Sequence, residues 1–301
     1  MPHDAIFDAI VIGGSFAGLS AAMYIARARR SVCVIDTGLP RNRFAAHSHG
    51  FFGQDGNTPG SMIATARAQV AAYPTVSFIN GEAIAASKEA HGFSVKLATG
   101  EALESKALVL AFGISDDLPA IPGLAERWGR SVLHCPYCHG YEVAGRRLGV
   151  LYAAPASVHH ASLIAEWGPT TLYLNGAAAP DETALEELNK RGIAIEAAPI
   201  TALLGEGSEL SAIELTDGRH SPLDALFIGA RTRFNSPIAE QLGCELDEGM
   251  QGPIIRTDAT QMTTVAGVFA AGDITRSAHS ATFASADGVM AGTAAHRSLV
   301  F

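Results

Sequence analysis

Cysteine is scarce in this chain, with four among 301 residues. That is too few for a disulfide scaffold, so any pair at short spacing points to redox chemistry or metal binding. Charge is also thin. Charged residues make up 17%, and the 21 Lys and Arg are outnumbered by 30 Asp and Glu, for a net charge of −9. An acidic surface of this kind excludes a general nucleic-acid binder or a protein held on anionic membranes. No apolar run approaches the roughly 18 residues that a membrane span needs. The start Met1-Pro2-His3-Asp4 lacks a basic n-region, so the expectation is a cytoplasmic protein. Low-complexity tracts and short-period repeats are missing too. What the chain has is apolar material: 48% of it is hydrophobic, which excludes long disorder and suffices for two packed cores.

The hydrophobic residues are arranged as buried strands alternating with helices. Ile6 to Ile12 is apolar and β-branched, as a parallel strand covered on both faces should be. The turn Gly13-Gly14-Ser15-Phe16-Ala17-Gly18 follows, then an alanine-rich helix from Leu19 to about Arg29, then a strand from Ser31 ending at Asp36. A helix is expected from Met62 to Ala72. Residues 76–79, 83–87 and 93–97 alternate like antiparallel strands, and 107–111 is another buried strand. The proline- and acid-rich stretch Asp116–Gly123 reads as a linker. A second α/β series begins at Arg147, with strands at 148–151, 171–174, 193–197 and 223–228 and helices at 159–167 and 182–190. Near the end, a strand runs into Gly272-Asp273, and Thr282 to His296 reads as a small-residue helix. The expected fold is α/β, with two Rossmann-like (three-layer ββα) dinucleotide-binding domains, the second inserted in the first. Residues 1–115 and 246–301 form the first and 116–245 the second.

Gly13, Ser15 and Gly18 occupy the glycine positions of G-x-G-x-x-G, with Ser15 in place of the middle glycine. Such a turn needs small side chains because a pyrophosphate must approach the backbone, with Phe16 and Ala17 opening the helix beneath it. Asp36 stands where a carboxylate can accept from ribose hydroxyls. Asp273, after its own strand and tight turn with Gly272, is placed to hold ribityl hydroxyls, which favours FAD over NAD. Arg43, His49 and Gly113 join the cofactor-binding candidates, His49 with the alternative of lining a dithiol channel.

The stretch His134-Cys135-Pro136-Tyr137-Cys138-His139-Gly140-Tyr141-Glu142 is the most informative. Two intervening residues let the sulfurs meet, a helix start there would favour a thiolate, and His139 can carry a proton near neutral pH. Zinc is the rival reading. It lacks a second C-x-x-C, while Cys33 falls in a buried strand and Cys244 stands alone. No metal is expected.

On the glycine turn, Cys135-Pro136-Tyr137-Cys138 and Thr264–Asp273, the whole chain resembles the low-molecular-weight thioredoxin reductase family. The resemblance implies that FAD binds the outer domain. It further implies that Cys138 faces the flavin, that Cys135 exchanges with substrate, that Ser280-Ala281-Thr282 opens a helix near the isoalloxazine, and that the protein is a homodimer. Two departures stand out. The inserted domain of such reductases carries G-x-G-x-x-A for NADPH, where this chain has Tyr152-Ala153-Ala154-Pro155-Ala156-Ser157. The cationic cluster that grips the 2′-phosphate is replaced by Asn175-Gly176-Ala177. Each charged hydrogen bond lost there costs about 1.5–3 kcal/mol. Cys-Pro-Tyr-Cys-His-Gly-Tyr-Glu, Arg41-Asn42 and His49-Gly50-Phe51 resemble the dithiol oxidases of gliotoxin, holomycin and romidepsin type, which implies electron flow from a small dithiol through the cysteines and FAD to dioxygen. Two other readings stay open: a disulfide reductase of thioredoxin-like or small substrates, fed by ferredoxin or another donor, and a flavin- and disulfide-based redox sensor.

Overall fold

The computed structural model describes residues 6–301; the Met1–Asp4 start lies outside them. The opening apolar run forms β1 (Phe7–Ile12), and the glycine turn leads into α1 (Phe16–Arg27) and β2 (Val32–Asp36). There follow α2 (Pro59–Ala71), β3 (Val76–Asn80), β4 (Ala83–Glu89), β5 (Gly92–Leu97), β6 (Ala102–Leu110) and β7 (Ile114–Asp117). Next come β8 (Val132–Leu133), α3 (Pro136–His139), β9 (Leu148–Leu151), α4 (Ala156–Ile164), β10 (Thr170–Tyr173), α5 (Glu182–Lys190) and β11 (Ala194–Glu196). The antiparallel strands β12 (Ile200–Leu204), β13 (Ala212–Leu215) and β14 (His220–Pro222) precede β15 (Ala225–Ile228) and β16 (Arg231–Phe234). The chain ends with α6 (Ile238–Gln241), β17 (Leu246–Glu248), β18 (Pro253–Ile255), β19 (Val268–Ala270) and α7 (Ala281–Ser298).

Two units result. In the first, β3, β2, β1, β6 and β19 run parallel, and β5 and β4 extend the sheet antiparallel from the other half of β6. One face carries α1 and α7. Gly288 of α7 lies so close to α1 that a Cβ there would come within 2.1 Å of the Ala17 carbonyl. The opposite face packs Ile10, Ile12, Leu108 and Leu110 against Ile238, Ala239 and Ile274. In the second unit, β11, β10, β9, β15 and β8 form an all-parallel sheet, and β12, β13 and β14 a separate antiparallel one. The two three-layer, Rossmann-like folds are therefore present, the second inserted in the first.

The boundaries differ from those expected. The first unit comprises residues up to Arg43, Pro59–Ser115 and Thr232–Phe301, and the second Phe44–Thr58 and Asp116–Arg231. The return to the first unit thus comes at Thr232, ahead of 246. The reason is α6, whose Ile238 and Ala239 are fully buried in the first unit's core, while Gln241 accepts from the Ala86 amide at 3.2 Å. The linker at 116–123 begins as the end of β7. Helix α4 starts three residues earlier than its periodicity suggests, with Pro155 as its N-cap.

Candidate active site

The dinucleotide turn lies in the first unit. Gly13 has φ +109, and a Cβ on it would meet the Ala111 carbonyl oxygen at 2.1 Å. Gly14 donates its amide to Asp36 Oδ1 at 2.9 Å, so the carboxylate at the end of β2 ties the turn together. Ser15 is the N-cap of α1 but makes no side-chain cap bond, and the helix has no acid in its first turn. The positive end of the helix dipole favours an anion at this end. Gly113, also left-handed at φ 67, follows β6. At the far end of β19, Gly272 (φ 86) turns the chain so that Asp273 opens a short 3-10 helix. Ser280 caps α7 by accepting from the Phe283 amide at 3.0 Å, with Ala281 and Thr282 as its first residues. The glycine turn, the two acids and the helix end have the chemistry that a dinucleotide such as FAD would need.

The cysteine centre lies in the second unit. Cys135 and Cys138 form a disulfide with Cα atoms 5.3 Å apart. Cys135 is the N-cap of the single-turn α3, and Pro136 at its first position fixes the backbone there. Tyr137, between the cysteines, packs edge-on against Trp167 at 5.7 Å. His139 sits directly after Cys138, and burial pushes its pKa below the usual histidine value, which favours the neutral imidazole. The other cysteines are structural. Cys33 and Cys244 are buried in the first unit's core, and burial drives the Cys33 thiol up to about 12.

A family model for pyridine nucleotide-disulphide oxidoreductases matches residues 7–288. The chain belongs to that family. It is 35% identical over 288 residues to a thioredoxin reductase, tcpT, of Claviceps purpurea, covering 91% of this chain and 88% of that one. It is 30% identical to the thioredoxin reductase sirT of Leptosphaeria maculans, covering 96% and 93%. Among solved structures, an oxidoreductase from Agrobacterium tumefaciens superposes with a TM-score of 0.94 at 44% identity, covering 99% of both chains. HlmI superposes with 0.93 at 35% identity, covering 100% and 94%. The protein is a thioredoxin reductase-like disulfide oxidoreductase, and its family is one of FAD-binding flavoproteins.

In this disulfide oxidoreductase the phosphate turn of the second unit is filled by the chain itself. Ser157 Oγ accepts from the amides of Ala153 at 3.0 Å and Ala154 at 3.3 Å. Tyr152 packs on the unit's core. After β10, Asn175 adopts φ 51 and accepts from the Ile200 amide at 2.8 Å. Arg219 reaches Glu196, at the end of the neighbouring β11, at 2.7 Å, but Asp217 also holds it at 2.7 Å. Ser157→Ala should cost about 1 kcal/mol, as loss of a cap does, and lower the melting temperature by roughly 2–4 °C. A thermal scan checks this.

Among the other candidates, Arg43 donates to the carbonyl of Pro40 at 2.9 Å and bonds locally. His49 falls in the second unit, near Glu142 and Asp55. Phe112 fills core, edge-on to Phe234 at 6.0 Å, and His160 stands edge-on to Phe227 at 6.2 Å. Sequence reasoning did not give Arg41 a role in the site. Its guanidinium bonds Asp273 Oδ2 at 3.0 Å across 232 residues of chain. Asp287 also escaped notice. It is 1% exposed on α7, bonded by Arg276 and Gln261, and the Gly272 amide donates to it, so it braces the Gly-Asp corner. Arg41 carries only the pattern Arg41-Asn42 in sequence, and Asp287 has no local signal at all.

Proposed function

We propose that the protein is a dithiol oxidase that closes a disulfide in a small-molecule dithiol and delivers the electrons to dioxygen. The observation that carries the reading is the turn after β9, where Ser157 accepts from the Ala153 and Ala154 amides, while nearby Arg219 pairs with Glu196 and Asp217. An FAD cradle and a reactive disulfide without a nicotinamide site leave the electrons to enter from thiols.

Bound FAD would supply the two-electron acceptor for the reduced cysteine pair and the point at which dioxygen is reduced. The chain's own residues do the sulfur chemistry. A substrate thiolate attacks Sγ of Cys135, the Cys135–Cys138 bond breaks, and Cys138 leaves as thiolate. The second substrate thiol then attacks the mixed disulfide, which frees Cys135 and releases the oxidised substrate. His139 takes protons from the thiols. In sum, one dithiol and one dioxygen give one disulfide and one hydrogen peroxide. A cytoplasmic homodimer is the expected setting.

The second reading is a disulfide reductase running the reverse way with a donor other than NADPH, which the names of tcpT and sirT favour. Direction depends on relative potential, about 30 mV per 1.4 kcal/mol for a two-electron couple. Anaerobic mixing of the yellow holoenzyme with NADPH, NADH or dithiothreitol decides. Bleaching by dithiothreitol alone, with colour and peroxide returning in air, is the expected result. Rapid bleaching by NADPH would overturn the proposal.

A further inference from the structure

We propose that His49, held between Glu142 and Asp55, is the outer member of a proton relay that serves His139 at the cysteine centre. The inference rests on the dithiol-oxidase reading and goes beyond it to the route by which protons leave.

Segment Phe44–Thr58 groups with the cysteine unit although the chain on both sides of it belongs to the other. Its shape is set by its own bonds. The Ser48 amide donates to Asn57 at 2.8 Å, Gly56 to Ser48 at 2.9 Å, Gly50 to Asp55 Oδ1 at 2.8 Å, and His47 Nδ1 lies 3.0 Å from the Gly56 carbonyl. His49 is thereby carried on a closed loop and presents both ring nitrogens to carboxylates. Nε2 is 3.4 Å from Glu142 Oε1, and Nδ1 is 3.6 Å from Asp55 Oδ1. An imidazole so placed can take a proton at one nitrogen and give one up at the other.

The partners divide the work. Asp55, bonded by the Gly50 amide and with His49 beside it, is held below the usual carboxylate range, so it stays anionic and orients the ring. Glu142 lies three residues after His139 and acts electrostatically on it, favouring its charged form, while burial and His49 oppose that form. Among the described residues, the charged and titratable groups that lie near His49 or act on it electrostatically include Glu142, Asp55, His139 and, at 6.4 Å between ring centres, His47. Burial makes His139 a ready base but a poor reservoir, because a protonated, half-buried imidazole must be discharged before the next turnover. Each dithiol releases two protons, and Glu142 and His49, with side chains 40% and 23% exposed, can hand them on to solvent.

The test is anaerobic reduction of holoenzyme by dithiothreitol, followed by flavin bleaching from about pH 6 to 9. His49→Gln and Glu142→Gln should each slow the step by about tenfold near neutral pH, with a changed pH profile, and added imidazole should restore His49→Gln. Asp55→Asn keeps the ring and should cost only about twofold to threefold. A wild-type pH profile for His49→Gln, or slowing that imidazole leaves untouched at every pH, would overturn the relay. If the wild-type enzyme is itself not reduced by dithiol, the dithiol-oxidase reading falls, and the relay with it. If the wild-type is reduced and His49→Gln matches it, the relay alone falls.

Discussion

Cys138→Ser is expected to abolish dithiol oxidation, with a rate loss of at least about a thousandfold, while leaving bound FAD in place. Serine cannot form the disulfide that the structure shows with Cys135, and without it the substrate's electrons have nowhere to go. The same variant separates the two sulfurs. If Cys135 is the exchanging thiol, Cys138→Ser will attack an added small disulfide and keep half of it as a mixed disulfide, releasing one thiolate. Mass spectrometry of the intact protein reads this directly. Cys135→Ser should be equally inactive and should trap far less. Trapping by Cys135→Ser instead would reverse the assigned roles, and turnover by either variant would remove the disulfide from the mechanism. Both cysteines are half-buried on a single helical turn begun by Pro136, so folding should survive either change.

The second large effect is expected at the dinucleotide turn. Gly13→Ala places a Cβ 2.1 Å from the Ala111 carbonyl oxygen at a backbone φ of +109. The left-handed backbone alone costs about 1–3 kcal/mol for a residue with a side chain. The clash adds to it, because its partner is backbone at the end of the central strand β6 and cannot swing aside. The turn must open, and with it goes the Gly14 amide bond to Asp36 that aligns the ribose acid. FAD affinity should fall by more than about a hundredfold, and the purified protein should be nearly colourless. Reconstitution of apoprotein with FAD, followed by flavin fluorescence, measures this without reference to turnover. Retention of FAD at the wild-type level would refute the placement of the diphosphate on α1.

The motifs that carry the chemistry are local, and they were readable. Gly13 to Gly18 after a β-branched strand, Asp36 at the end of the next strand, and Cys135-Pro136-Tyr137-Cys138 each gather their meaning within a few residues. The departures at Pro155 and Asn175 were readable for the same reason. The sequence showed that the glycines of a second nucleotide turn were missing. The structure supplied what stands in their place, a hydroxyl from Ser157 on the turn's own amides. The antiparallel strands β12 to β14 went unassigned. They run to between three and five residues each, too short for alternation to separate them from loop.

By itself, then, the sequence determined that this is a two-part α/β flavoprotein with a cysteine pair and a second α/β series whose first turn lacks glycine. Hydrophobic period, small residues at tight turns and cysteine spacing are all short-range properties. Tertiary structure alone decided which distant residues share a site. Arg41 meets Asp273 across 232 positions, Asp287 is bonded beneath the Gly-Asp corner, and Phe44–Thr58 joins the cysteine unit from within the other unit's stretch of chain, bringing His49 to Glu142. Such pairings follow from how whole elements pack, and packing depends on complementarity between faces far apart in the chain, which no local pattern encodes.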